Sequence, residues 1–199
     1  MLKSSLTAHL REAGCDEAGR GCLAGPVYAA VVILPEDYHN ELLNDSKKLT
    51  ARQREKLRKI IERDAISWAV ASVDNQTIDQ INILNASILA MHQALDKLPI
   101  RPELILVDGN RFHPYPGIQH QCIIKGDAVF MSIAAASILA KTYRDEFMES
   151  LHFEYPHYLW IKNKGYPTRF HRSAISQYGT TAYHRLSFKL GEQLNLFRI

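Results

Sequence analysis

The stretch Gly14-Cys15-Asp16-Glu17-Ala18-Gly19-Arg20-Gly21 is followed, after Cys22-Leu23-Ala24, by the run Gly25-Pro26-Val27-Tyr28-Ala29-Ala30-Val31-Val32-Ile33-Leu34, which stops at Pro35. The run is apolar and rich in β-branched residues, so it predicts a buried strand. Working outward, Thr50 caps a predicted helix to about Arg63, and Ile66 to Val73 returns as a strand containing Trp68. Asp74 is a plausible N-cap for one long helix to Leu98, in which Ile78, Ile81, Leu84, Ile88, Met91, Leu95 and Leu98 form a single core-facing stripe. Leu104 to Val107 and Gln121 to Ile124 are short apolar runs that end at Asp108-Gly109 and Lys125-Gly126, and both read as buried strands ending in a polar site. Asp127 then caps a helix of small and apolar residues from Ala128 to about Met148, and Thr168 caps a last one to about Tyr178. Strands first, then strands alternating with helices, argue an α/β domain whose mixed sheet is covered on both faces, with ligands gathered at the strand ends.

The chain has 199 residues, 46% of them hydrophobic and 23% charged, the proportions of one soluble domain with small appendages. The most apolar stretch, Ala128 to Ala140, is broken by Ser132 and Ser137 and is too short to span a bilayer, so no membrane segment is expected. Met1 to Leu10 has a single lysine and no apolar core of secretory length, so no signal peptide is expected either. Cys15, Cys22 and Cys122 fit no zinc spacing; free thiols in a reducing cytoplasm are the simplest account. The net charge of +3 conceals a pattern. Lys47 to Arg63 holds eight basic residues against Glu55 and Glu62, and Tyr155 to Gly191 holds Lys162, Lys164, Arg169, Arg172, Arg185 and Lys189 with no acid. One such block is usually a solvated helix face, whereas two together favour a polyanionic partner.

The carboxylates carry the chemistry. Asp16 and Glu17 lie beside small residues and between apolar segments, and Asp108 and Asp127 each follow an apolar run. Acids so placed are costly to bury without compensation, and a hard cation such as Mg²⁺ or Mn²⁺ compensates oxygen ligands best. Singly, each has a local explanation: an N-cap for Asp127, a turn for Asp108-Gly109, a surface bulge for Asp16-Glu17. Jointly, and with glycines on either side of Arg20, they point to a site. Gly19-Arg20-Gly21 lacks the ending of a Walker phosphate loop, but it lets the backbone approach a sugar-phosphate closely. A 2′-hydroxyl is the group by which such a contact tells RNA from DNA.

Taken in order, Asp16-Glu17-Ala18-Gly19-Arg20-Gly21, Asp45-Ser46-Lys47-Lys48-Leu49, Val107-Asp108-Gly109-Asn110, Lys125-Gly126-Asp127, Ile133 to Lys141 and Lys164-Gly165-Tyr166-Pro167-Thr168 resemble the successive motifs of ribonuclease HII, over about Arg11 to Phe188. Ribonuclease HIII is less similar, having an extra N-terminal domain and a lysine where this chain has Arg20. The resemblance implies a ribonuclease H-like fold, a mixed five-stranded sheet flanked by helices with a helical C-terminal part, within a catalytic domain 1–190. It also implies a metal-dependent endonuclease that cuts the RNA strand of RNA/DNA hybrids and the 5′ side of single ribonucleotides in duplex DNA, leaving 3′-hydroxyl and 5′-phosphate ends. By motif, Asp16, Glu17, Asp108 and Asp127 are its metal ligands, for two Mn²⁺ or Mg²⁺ ions roughly 3.5–4 Å apart that activate a water and stabilise the leaving oxygen. Gly19, Arg20 and Gly21 grip the 2′-hydroxyl and its phosphate, and Tyr166 lies against the following nucleotide, where an aromatic face suits a sugar or base. Lys47, Ser137 and Lys141 are candidate phosphate contacts; His171 and Arg172 match family positions with roles left open. A monomer is implied.

Leu190 stands where the family often has proline, and residues 191–199 fall outside the core pattern. Within that tail Gln193-Leu194-Asn195-Leu196-Phe197 is similar to the short peptide by which bacterial replication and repair proteins bind the sliding clamp, with Leu194, Leu196 and Phe197 to fill an apolar groove. Packing on the parent domain is the alternative. Two rivals stand beside the main reading: a junction-resolving two-metal nuclease, which needs neither Arg20 between glycines nor Tyr166, and a non-catalytic hybrid-binding module, which can lose an acid.

Overall fold

The computed structural model describes residues 2–43 and 49–190. Strands β1 (Glu12–Ala18) and β2 (Val27–Ile33) lead into helix α1 (Ala51–Asp64) and strand β3 (Ser67–Val73). Helices α2 (Asn75–Ile81) and α3 (Ile83–Asp96) precede β4 (Leu104–Asp108) and β5 (Gln119–Ile123), and α4 (Met131–Glu154), α5 (Trp160–Asn163) and α6 (Arg169–Tyr178) follow among the described residues. The five strands form one sheet in the order β3-β2-β1-β4-β5. Its β3-β2-β1 half is antiparallel, and β1-β4-β5 is parallel. The sheet is mixed, as expected.

Strand alternation divides the core into two layers. Ala13, Cys15, Val27, Ala29, Val31, Ile33, Ile105 and Val107 pack on one face with Ile88, Met91 and Leu95 of α3. Ala30 and Val32 pack on the other with Leu57 and Ile61 of α1 and Ile138 and Leu139 of α4. A third cluster joins Met148 and Leu151 of α4 to Tyr158, Trp160, Ala174 and Ile175, and so seats the helical C-terminal part. Gly14 lets α4 lie on β1, because any Cβ there would run into the Ser132 backbone. No helix among the described residues is long and apolar enough to cross a membrane.

Several local signals act as expected. Thr50 caps α1 through a capping box, accepting from Gln53 N at 3.3 Å while its own N–H donates to Gln53 Oε1 at 2.8 Å. Thr168 caps α6 by accepting from His171 N. The helix expected from Asp74 to Leu98 is instead two. Asn82 takes φ of +67° and its side chain accepts from Leu84 N and Asn85 N, so it ends α2 and caps α3. At φ +67° and ψ 164° Asn82 holds a backbone conformation open mainly to glycine, which its two capping bonds offset, and the stripe survives the break. Ile81, Leu84 and Leu98 still pack on the same core.

Two further expectations are corrected. β5 is the edge strand, with Gln119 and Gln121 exposed and Ile124 just beyond it 71% exposed, so the run from Gln121 to Ile124 is not a buried strand. Asp127 does not cap α4. It lies in a 3₁₀ turn, Gly126–Ala128, and α4 starts at Met131 with no side-chain cap. The physical reason is in the N-terminal segment: Met131 N donates to Lys3 O at 2.9 Å, and Lys3 N to Val129 O at 2.8 Å. That backbone pairing supplies an acceptor at the helix start and leaves Asp127 available for another task.

A candidate metal-binding site at the strand ends

β1 and β4 run parallel with Cys15 opposite Val107, so Asp16 and Asp108 reach the same carboxyl-end edge of the sheet side by side. Asp16 and Glu17 point to opposite faces of β1. Asp16 is buried and accepts from Ser137 of α4 and from Glu17 N, the latter at 2.7 Å. Glu17 faces a cleft of about 170 Å³ that it shares with Arg20, Asp108, Asn110, Arg111 and Leu84 of α3. Its Oε1 lies 3.1 Å from Arg20 Nη1. Asp108 Oδ1 accepts from Gly126 N at 2.6 Å, which ties β4 to the turn carrying the buried Asp127.

The electrostatics follow from this crowding. Burial pushes the Asp16 carboxyl well above the usual carboxylate range, and the neighbouring charges of Glu17 and Asp108 push it further, against the bonds from Ser137 and Glu17 N. Three acids from two adjoining strands therefore repel one another at a desolvated edge, the environment a divalent cation relieves. The donor set is all oxygen, which fits Mg²⁺ or Mn²⁺. With Glu17 turned to Arg20, no group of three or more His, Cys, Asp or Glu side chains forms a ready cage for an ion among the described residues.

Of the glycines beside Arg20, Gly19 has φ of +100°, and a Cβ on it would collide with the Arg144 guanidinium. Gly21 is different. A Cβ there would meet nothing within 4 Å among the described residues, so their packing does not demand glycine. Tyr166 is 37% exposed, at one end of an open groove between α1 and α4. Its ring lies 5.4 Å from Lys141 Nζ and its hydroxyl is bonded to Cys22. Lys141 donates to Asp145 at 2.6 Å, and burial lowers its pKa despite that partner. Ser137, expected as a phosphate contact, is buried with its hydrogen bond on Asp16. Lys47 and the tail residues Gln193, Leu194, Leu196 and Phe197 lie outside the described residues.

Arg144 and Arg185 do not figure among the sequence-derived candidates, yet both are fully buried behind the glycine loop. Arg144 donates to the carbonyls of Pro26, Lys164 and Ala24, and Arg185 to those of Gly25 and Arg20. Arg144 gave no clear signal, since in sequence it stands in the charged stretch Lys141-Thr142-Tyr143-Arg144-Asp145-Glu146, beyond the apolar part of the helix. Arg185 gave none either, because it sits among surface-like basic residues in sequence.

The family model for ribonuclease HII matches residues 13–191. The chain is similar to ribonuclease HII of Bacteroides thetaiotaomicron, 63% identical over 98% of this chain and 99% of the relative, and to that of Porphyromonas gingivalis, 57% identical over 95% and 94%. Among solved structures it is similar to ribonuclease H2 from Pyrococcus horikoshii, with TM-score 0.75 and 29% identity over 90% of this chain and 94% of that one. It is also similar to the structure of a PCNA:RNase HII complex from Archaeoglobus fulgidus, with TM-score 0.72 and 25% identity over 94% of this chain and 100% of that one. A carboxylate edge on a five-stranded mixed sheet and a family match over nearly the whole chain lead to one conclusion: the chain belongs to the ribonuclease HII family, endonucleases of the ribonuclease H kind.

Proposed function

We propose that this enzyme cleaves the RNA strand of RNA/DNA hybrids and the 5′ side of single ribonucleotides in duplex DNA, leaving 3′-hydroxyl and 5′-phosphate ends, with residues 1–190 as the catalytic unit. The observation that carries the reading is the meeting of Asp16, Glu17 and Asp108 at the paired ends of β1 and β4, where burial and like charge call for a cation. Asp16, Glu17, Asp108 and Asp127 would hold two divalent ions, Mn²⁺ or Mg²⁺. When bound, such ions supply an acidified water and charge stabilisation at the scissile phosphate.

The chain's own residues do the rest. Ser137 keeps Asp16 aimed, and the Gly126 N–H keeps Asp108 aimed. Glu17, whose Oε1 lies 3.1 Å from Arg20 Nη1, would serve as a ligand, and Arg20 would face the phosphate beside the ribonucleotide. Gly19 and Gly21 present backbone to the 2′-hydroxyl, a role the open space at Gly21 favours. Tyr166 stacks on or beside the following nucleotide, and Lys141 and Lys47 contact phosphates nearby. Duplex DNA with one ribonucleotide is expected to be cut at that position in Mn²⁺ or Mg²⁺ while an all-DNA duplex stays intact. Equal cutting of both would exclude ribonucleotide reading by Arg20 and Tyr166.

Gln193, Leu194, Leu196 and Phe197 bind the sliding clamp in this reading, and the enzyme itself acts as a monomer. Calorimetry with the clamp is expected to show binding by the full chain and none after deletion of Gln193 to Ile199. Unchanged affinity on deletion, or no binding by the intact chain, refutes it.

A further inference from the structure

Residues 181–188 run behind both of the loops assigned above to ribonucleotide reading. Leu186 N, Ser187 N and the Ser187 hydroxyl all donate to Asp79 of α2, and Asn75 Nδ2 donates to the carbonyls of Ala182 and His184. The anchored segment pairs with the glycine loop through Gly25 N to Tyr183 O and Arg185 N to Leu23 O, both at 2.8 Å. Its two central side chains, His184 and Arg185, are 1% and 0% exposed.

Arg185 reaches one loop. Its Nε donates to Gly25 O and its Nη1 to Arg20 O, each at 2.9 Å, and its guanidinium lies 5.2 Å from the Phe188 ring centroid. Its Nη2 is buried with no hydrogen-bond partner among the described residues. A buried guanidinium with an unmet donor is costly, so stability alone is a poor reason for it. A forked donor that fixes two carbonyls of one loop at once is a better one.

His184 reaches the other loop through His171. Thr181 N donates to His184 Nδ1 at 2.8 Å, so the ring proton of His184 is on Nε2. That nitrogen is 3.2 Å from His171 Nε2, which also accepts from Trp160 Nε1 at 3.1 Å. His171 is therefore protonated at Nδ1, which donates to Tyr166 O at 3.0 Å. One assignment of neutral tautomers satisfies every contact from Thr181 to the Tyr166 backbone, with the His171 Nε2 lone pair shared by two donors.

We infer that His184 and Arg185 are positioning residues for recognition of the ribonucleotide junction: adjacent side chains on one anchored segment fix the Arg20 carbonyl and the Tyr166 carbonyl relative to each other. This rests on the assignment of Gly19 to Gly21 and Tyr166 to substrate reading. A single ribonucleotide in DNA offers one 2′-hydroxyl and one junction, so it needs both loops in register. A continuous hybrid offers many registers and tolerates error.

The test measures kcat and KM on duplex DNA with one ribonucleotide and on a continuous hybrid. Arg185→Lys, which keeps the charge and loses the fork, is expected to lower kcat/KM about tenfold or more on the single ribonucleotide and under threefold on the hybrid. His184→Leu, which removes the donor to His171, is expected to do the same, and His184→Gln, which can restore it, to recover the wild-type ratio. A parallel fall on both substrates, or an unchanged ratio in folded variants, overturns the inference. Tyr166→Ala separates the two layers: if it leaves the ratio unchanged, the substrate-reading assignment itself has failed. If it changes the ratio while the His184 and Arg185 variants do not, only the positioning role has failed. A measurement on the wild-type chain needs no variant to fold. In Ca²⁺, the ring-nitrogen resonances of His171 and His184 and the Arg185 Nε–H resonance are expected to shift more with ribonucleotide-containing duplex than with all-DNA duplex, and equal shifts overturn the inference.

Discussion

At the scale of single residues, Asp16, Glu17 and Asp108 are arranged against stability. Burial and mutual repulsion raise the Asp16 carboxyl, so without metal the folded chain carries a cost that one neutral neighbour would remove. Asp108→Asn keeps an oxygen to accept from Gly126 N and loses the charge. The variant is expected to lose about 10²–10³-fold or more in cleavage rate. In EDTA it is expected to melt roughly 2–4 °C above the wild type, the shift that ~1 kcal/mol gives in a domain of this size. Differential scanning fluorimetry with a cleavage assay checks both, and a lower melting point in EDTA contradicts the repulsion. The acids were legible in sequence because charge beside apolar strands is conspicuous. Arg185 was not, since a guanidinium buried on carbonyls looks in sequence like any surface arginine, and only the folded chain reveals which carbonyls it meets.

At the scale of elements, local chemistry read well where it acts through neighbours in sequence and poorly where it depends on distant ones. The Thr50 and Thr168 caps were visible, whereas the start of α4 was not, because its first N–H is satisfied by Lys3 from the far end of the chain. Likewise the run Gln121 to Ile124 ends in apolar residues, whereas β5 itself opens Gln119-His120-Gln121 and takes the edge of the sheet. The break at Asn82 is local but easily missed, since the apolar stripe runs through it. Asn82→Ala removes two capping bonds and leaves a Cβ residue at φ of +67° without the compensation asparagine brings. It is expected to cost about 1–2 kcal/mol in urea denaturation, and Asn82→Gly only a few tenths. The opposite ranking would show that the positive φ is not what asparagine is there to accommodate.

At the scale of the whole molecule, the two basic blocks are less exposed charge than they appear in sequence. Arg54 pairs with Asp145, Arg58 with Glu62 and Glu146, and Lys164 with Glu149, while Arg185 is wholly buried. The C-terminal helical part also holds a titrating element. Burial, with His171 beside it, lowers His184 from 6.5 to about 4, and burial lowers His171 in the same direction, with Arg172 adding to it. The other groups facing His184, Tyr158, Trp160 and Thr181, are neutral at these pH values. The unfolded chain binds these protons first, so the contribution is complete above about pH 6.5 and is lost as pH falls toward 4. Stability is expected to drop by about 3 kcal/mol over that window from His184 alone. His184→Gln should flatten the curve of melting temperature against pH, and an unaltered slope would assign the loss to other groups.

The parallel pairing of Glu12 to Cys15 with Leu104 to Val107 also governs how the protein is born. β1 leaves the ribosome early, and its partner on one side, β2, follows at once, so an antiparallel meander of β1, β2 and β3 can form on the nascent chain. The strand that carries Asp108 arrives only after α3, and the turn carrying Asp127 later still. Pairings of such long sequence separation are slow to close. Until β4 is made, the growing polypeptide therefore carries Asp16 and Glu17 without Asp108, and the candidate metal site is incomplete. On the proposed assignment, hydrolytic competence is expected only once the centre of the sheet closes.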